Sequence, residues 1–198
     1  MNDMLHFIKS RRSTRAFAQR PVEQDKLEEV IEAGRYAPSG GNSQSCHLIV
    51  VKDRAVLDKL AELVESAFAS MEETPGMYSS MVNSIRRARA GGYRFHYDAP
   101  VLIITANKKD YGNNMADCAC VLENMMLMAN ALDLGSCWIN QLKWLQNDPA
   151  LLEYMMSLGM RGDERVYGAL AVGYANTADT LPVREPLPRK GNEVTWVE

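Results

Sequence analysis

Between residues 115 and 132 the chain carries apolar side chains almost all round at helical spacing, with scarcely a polar face from Cys118 onward. A helix patterned this way is stable only when most of its sides are covered. That requirement constrains the fold more than any other feature, because the remaining elements must wrap a long central helix. Methionines at 115, 125, 126, 128 and, later, 155 suit such packing. An unbranched thioether fills irregular gaps, and core filling is its commoner use than an adaptable binding surface.

The rest of the chain alternates helices with few strands. Residues 22–36 put Leu27, Val30, Ile31 and Ala33 on one face and acids on the other, which predicts an amphipathic helix. Glu23 and Asp25 lie near its start, where the helix dipole favours negative charge. Pro38 and the pair Gly40-Gly41 then break it. Helical patterns recur over 55–71, 79–90 and 149–158, with Thr74-Pro75-Gly76 as a turn. Apolar, β-branched runs predict strands at 48–51, 100–106, 136–139 and 166–174. Few strands among many helices, without regular strand–helix–strand spacing, imply an α+β fold and not a doubly wound sheet. With 198 residues, 46% of them apolar, the chain suits a single domain over 1–198.

Charge and composition exclude several classes of partner. A net charge of −3 gives no general attraction to nucleic acid or to an anionic membrane. The longest apolar runs are strand-length, short of the roughly 20 residues that span a bilayer. Asp3, His6 and Lys9 interrupt any secretory core, so a soluble, cytoplasmic protein is expected. Cys46, Cys118, Cys120 and Cys137 have neither the density of a disulfide framework nor metal-site spacing. Cys118 and Cys120 sit two apart in a helix and do not face each other. His6, His47 and His96 are scattered, and no metal is expected.

Three segments carry chemistry. Arg11-Arg12-Ser13-Thr14-Arg15 sets three guanidiniums and hydroxyls within five residues. Arginine's planar fork matches the oxygens of a phosphate monoester, so the cluster is either a phosphate site or a solvated basic patch. Pro38-Ser39-Gly40-Gly41-Asn42-Ser43-Gln44 follows one helix later and is either a ligand loop or an ordinary helix-to-strand connection. The end of the chain has Pro182, Pro186 and Pro188 around Arg189, which favour extended backbone. Such tails are commonly disordered, yet Val194-Thr195-Trp196-Val197 is apolar without reason if it stays in water.

In their order and spacing these segments resemble the nitroreductase family of FMN-dependent flavoproteins. Phe17 closes the basic motif, Ala37 precedes the Pro-Ser loop, and Asp98-Ala99-Pro100 opens a strand. Leu134-Gly135-Ser136-Cys137-Trp138 ends the central helix, and Ala171-Val172-Gly173-Tyr174 precedes the tail. The resemblance covers essentially the whole chain. It implies a small, mainly antiparallel sheet flanked by helices, in an intertwined homodimer with the central helix at its heart. Residues 178–198 would be an extended arm exchanged with the partner subunit, a recognised route to a two-fold dimer.

The same resemblance implies an FMN site. Arg11, Arg15 and Arg189 would neutralise the phosphate, Arg189 from the partner's arm. Arg12 and Ser13 would contact phosphate, ribityl chain or pyrimidine edge. Pro38, Ser39 and Gly40 of the other subunit would lie along the ring, and Asn42 would serve ring acceptors or cap a turn. Trp138, Ile139 and Asn140 would flank flavin N5, with the Asn140 N–H donating to it. Two departures concern this region. Relatives have an acid followed by glycine near Asn140, and an asparagine before Asp98, where this chain runs Gly91-Gly92-Tyr93-Arg94-Phe95-His96-Tyr97. Tyr93, Phe95 and Tyr97 form either an aromatic pocket wall or an amphipathic strand edge.

No side chain is expected as catalytic acid, base or nucleophile, because in flavin enzymes the cofactor carries the chemistry. The implied reaction is ping-pong hydride transfer from NADH or NADPH to a small electron-poor acceptor such as a nitroaromatic or quinone. No G-x-G-x-x-G follows a strand, so the dinucleotide is a passing substrate. Other readings keep the flavin and change the role: reductive dehalogenation, flavin fragmentation, or a non-catalytic flavin carrier or redox sensor.

Overall fold

Four strands, β1 (His47–Val51), β2 (Val101–Lys108), β3 (Gly135–Ile139) and β4 (Glu164–Gly173), form one sheet in the order β1-β2-β4-β3. Every neighbouring pair is antiparallel. The computed structural model describes residues 2–198. Seven α-helices surround the sheet among those residues: α1 (Asp3–Ser10), α2 (Gln24–Arg35), α3 (Arg54–Ser70), α4 (Ser79–Ala90), α5 (Asn114–Ala131), α6 (Gln141–Trp144) and α7 (Pro149–Ser157). The expected α+β class and antiparallel sheet are therefore what the chain forms. The expected strands and helices recur with their ends moved by two residues or less, and α1 and α6 are additions.

Both faces of the sheet are covered, which is why β2 is buried at every position from Val101 to Asn107. Successive strand side chains point to opposite faces. Leu102, Ile104, Ala169, Ala171, Cys137 and Ile139 join a core with Leu57, Leu60, Val64 and Phe68 of α3 and Ile85 of α4. Val101, Ile103, Leu170 and Val172 face Leu27 and Val30 of α2 and Leu122, Met125 and Met126 of α5. The helix α5 comes close to the sheet because Gly168 lacks a side chain. A Cβ there would lie 2.7 Å from Leu122 Cδ1.

Burial of α5 is one-sided. Eight of its residues are buried, while Ala116, Cys120, Glu123 and Ala131 form an exposed stripe at helical spacing. The aromatic stretch before β2 is neither of the two arrangements expected. Tyr93 and Phe95 are buried in the core that holds Phe68, and Tyr97 packs against it; none lies in a strand, and Phe95 and Tyr97 lie in a turn. The turn is tight: Tyr97 and Asp98 both have positive φ, 57° and 55°. Arg94 clamps it by donating to Asp98 at 2.7 Å and to Asp58 of α3.

His96 lies at the centre of this turn, fully buried, with neither ring nitrogen hydrogen-bonded to a described residue. Burial, then the neighbouring Arg94 charge, lowers its pKa from 6.5 to about 4. The unfolded chain therefore takes up a proton below pH 6.5 that the folded chain refuses until about pH 4. Stability from this residue is complete above that window and falls by about 3 kcal/mol across it, at 1.36 kcal/mol per unit. His96→Leu is expected to abolish this part of the acid destabilisation. Urea unfolding above pH 6.5 and near pH 4 measures it, with the loss tied to salt-bridged Asp58 persisting at lower pH.

Candidate functional site

The basic segment is held in place by backbone pairing at the edge of the sheet. Ser13 bridges Ser136 of β3 in parallel, with the Thr14 N–H donating to the Ser136 carbonyl at 2.9 Å. Farther on, Phe17 pairs with Ala175, and Ala18 donates to Tyr174 at 2.9 Å. The preceding α1 is fastened by Asn130 of α5, whose amide donates to Ser10 Oγ at 3.0 Å. Thr14 lies so close to β3 that a Cβ on Gly135 would meet Thr14 Oγ1 at 2.7 Å.

Extended backbone alternates its side chains, so Arg11, Ser13 and Arg15 share one side. They converge on Cys137. Burial raises that thiol's pKa, and Arg15, Ser13 and Arg11 act in the opposite direction. Nη1 of Arg11 is buried and has no hydrogen-bond partner among the described residues. A guanidinium nitrogen removed from water without an acceptor is costly, so this cluster favours an anion. Arg12 points elsewhere and donates to the Glu185 carbonyl at 2.5 Å. It ties the tail to the subunit and does not join the other two arginines.

The Pro38–Gln44 loop is built at the opposite end of α5. Asp117 accepts the Gly40 N–H at 3.0 Å, and Tyr111 donates its hydroxyl to the Gly40 carbonyl at 3.0 Å. Gly40 has no room for a side chain, since a Cβ would lie 2.6 Å from that hydroxyl. Ser39 Oγ accepts the Gln44 N–H, and Gln44 donates to Asn42 Oδ1, both at 3.0 Å. Asn42 thus braces the turn, with φ of 54°. A cavity of about 610 Å³ opens here, lined by Arg35, Pro38, Ser39, Asn42, Cys46 and Asp117. Asp117 and Asn130, which anchor the loop and α1, stand about 20 Å apart along one helix at 1.5 Å per residue.

A third group lies where β3 ends. The Trp138 indole rests on Gly168 and donates to Asn140 Oδ1 at 2.8 Å. Asn140 opens α6, and Ile139 is buried in the core, leaving only its backbone for a ligand. Gln141 donates to Tyr93 Oη at 2.9 Å, fastening this corner to the core. Arg189 is exposed in the tail and has no polar partner among the described residues. Arg184 instead anchors the tail, donating to the Asn130 carbonyl and to Asp133, each at 2.6 Å. Past Glu185 the chain is exposed, Trp196 at 84% and Val197 at 93%.

Asp117 holds the Pro38–Gln44 loop from a helix remote in sequence, so spacing does not single it out, whereas Thr14 and Gly135 lie inside the motif segments but show their packing role only in the fold. Among the described residues no three His, Cys, Asp or Glu side chains gather as metal ligands, and no helix is long and apolar enough to cross a membrane.

The family model described as the nitroreductase family matches residues 8–174. Over their full lengths, this chain and a nitroreductase with bound FMN from Bacteroides fragilis are 35% identical, with a TM-score of 0.87. A putative NADH dehydrogenase/NAD(P)H nitroreductase of Archaeoglobus fulgidus is 29% identical, the match covering 88% of this chain and 86% of that one. A nitrobenzene nitroreductase of Ectopseudomonas oleovorans is 26% identical, with 86% of each chain covered.

The contact between Gly135 and Thr14 gives a direct check on how the arginines are placed. Gly135→Ala is expected to push the Arg11–Arg15 segment off β3 and to destabilise the fold by about 1–3 kcal/mol, as overpacking does. The shift of the urea unfolding midpoint against the parent chain measures it.

Proposed function

Because the chain belongs to the nitroreductase family, we propose that it is an FMN-dependent oxidoreductase that takes reducing equivalents from NADH or NADPH and delivers them to a small electron-poor acceptor such as a nitroaromatic or quinone. The observation that carries this reading is the convergence of Arg11, Ser13 and Arg15 around a buried guanidinium nitrogen without an acceptor. A phosphate monoester supplies about −1.5 to −2 charge and three acceptor oxygens, which fits that donor set. Bound FMN supplies the hydride and electron transfer. The protein's task is to bind, orient and exclude water. Dinucleotide and acceptor use one site in turn, in ping-pong order.

The residues have separate tasks in this reading. Arg11 and Arg15 offer the phosphate their forked donors, and Ser13 fills a remaining lone pair. Arg12, engaged with the Glu185 carbonyl, positions the tail. The Asn140 backbone N–H is directed at the ring, with its side chain steadied by the Trp138 indole. Pro38, Ser39 and Gly40 offer the ring a flat backbone surface, held from behind by Asp117 and Tyr111.

Separation of the anchors Asp117 and Asn130 by about 20 Å along α5 supports a site completed by a second copy of the chain. The exposed Ala116–Cys120–Ala131 stripe and the exposed apolar end of the tail support the same homodimer, in which the arm crosses to the partner. Arg189 then approaches the phosphate of the partner's site. One domain per chain, 1–198, belongs to this reading.

Arg15→Ala is expected to weaken FMN binding by roughly 1.5–3 kcal/mol, the range for hydrogen bonds to charged groups, and Arg15→Lys by less. Equilibrium dialysis measures both, and unchanged retention in the alanine variant sinks the phosphate assignment. A second experiment tests the shared site. Removing residues 189–198 keeps the Arg12–Glu185 and Arg184–Asp133 contacts but deletes Arg189 and the apolar end. The truncated chain is expected to elute as a colourless monomer with little NAD(P)H oxidation. A yellow, active monomer would mean that each chain builds its site alone.

A further inference from the structure

Cys46 and Cys118, separated by 72 residues, bring their sulfurs to 3.2 Å. A disulfide bond is about 2.05 Å long, so roughly 1 Å of approach would close one. The pair is not symmetrical. Cys118 is fully buried in α5, whereas Cys46 is partly exposed and lines the large cavity beside Ser39 and Asp117. It also lines a second cavity of about 460 Å³, with Arg35, His47, Lys108 and Arg161 on its walls. One thiol is therefore reachable and the other stands behind it, the arrangement of an attacking and a resolving cysteine. The remaining cysteines lack this geometry: Cys120 is exposed on another side of α5, and Cys137 lies under the arginines.

We propose that Cys46 and Cys118 form a reversible intramolecular disulfide when the protein meets a low-molecular-weight disulfide, and that the bond clamps the Pro38–Gln44 loop to α5. Cys46 as thiolate attacks one sulfur of the reagent R–S–S–R, forming a mixed disulfide and releasing R–S⁻. Cys118, deprotonated in turn, attacks the Cys46 sulfur and expels the second R–S⁻. The two thiol protons end on the two leaving groups. The protein loses two hydrogens and two electrons, and the reagent is reduced to two R–SH. The contact with Cys118, followed by burial, holds the Cys46 thiol above its ordinary range, so exchange at neutral pH is slow.

The loop is the segment that the bond would restrain. Cys46 lies two residues beyond it, and Asp117, next to Cys118, already accepts from Gly40 and Ser43. A covalent link at the same place converts these hydrogen bonds into a fixed closure. Because it closes a 72-residue loop, it restricts the unfolded chain strongly. This inference does not depend on the cofactor reading, because it concerns thiol chemistry that proceeds with or without flavin.

The test uses the full chain as purified. It is incubated with oxidised glutathione at mildly alkaline pH, quenched with acid, unfolded, alkylated and digested for mass spectrometry. The expected product is a peptide pair joined through Cys46 and Cys118, two hydrogens lighter than the free thiols. The oxidised protein is expected to melt roughly 5–10 °C higher, reversibly with dithiothreitol. Alkylation of both Cys46 and Cys118, or a lasting glutathione adduct on Cys46 beside a free Cys118, overturns the pair. A linked pair with an unchanged melting temperature overturns the clamp. Cys46→Ser serves as the control and is expected to leave Cys118 alkylated.

Discussion

Packing of α5 against β2 and β4 is the constraint on which the rest of the molecule depends. It brings Leu122 to within 2.7 Å of where a Cβ would stand on Gly168. It also lets Met125 fill the space left by Gly34 of α2, where a Cβ would lie 2.8 Å from Met125 Cγ. Once the helix is fixed, its polar residues become anchors. Asp117 near one end holds the Pro38–Gln44 loop, and Asn130 near the other holds α1 and Arg184. A single rigid rod thereby sets the positions of segments that are remote in sequence.

The electrostatics separate structural from ligand-directed charge. Arg54, Arg94, Asp58 and Asp98 satisfy one another around the turn before β2, and Arg86 pairs with Glu73. Most of these groups are substantially exposed, where ion pairs contribute little to stability. Arg11 differs in having a buried nitrogen and no acceptor. A chain selected for stability alone gains nothing from that arrangement, since a buried unpaired donor carries its full desolvation cost. In the proposed site, a bound phosphate supplies what is missing.

Much of the fold was legible because periodicity reports burial. The amphipathic spacing of α2 and the apolar runs of β1, β2 and β4 follow from which faces are covered. Two short helices were not visible. In α1, Met4, Leu5 and Ile8 stay substantially exposed, and its start rests on an Asn2 cap, with Asn2 Oδ1 accepting from the Met4 N–H. A single turn such as α6 has too few residues to show a period. The aromatic stretch at 93–97 misleads because alternation is also compatible with a turn whose rings enter the core, and only Arg94 and the positive φ at Tyr97 and Asp98 enforce it. Among the proposed site residues, Arg11, Ser13 and Arg15 follow from local sequence. Arg12 does not, because its partner is a backbone carbonyl 173 residues away. The meeting of Cys46 and Cys118 is invisible for the same reason.

The placement of anchors on α5 also bears on assembly. A rigid helix cannot bend to bring Asp117 and Asn130 together, so one chain keeps the anchor of the loop and the anchor of α1 about 20 Å apart. In the proposed two-fold dimer the helices can lie side by side, so the loop end of one meets the arginine end of the other. The same length that divides the site within a chain then joins it between chains. A ligand held across that boundary binds the assembled state and not the separated chains, which makes dimer stability and ligand affinity linked quantities. The exposed small residues of the stripe, Ala116, Cys120 and Ala131, permit close approach of two such helices. What reads in the sequence as an over-apolar helix becomes, in three dimensions, a ruler that sets the spacing of the proposed site.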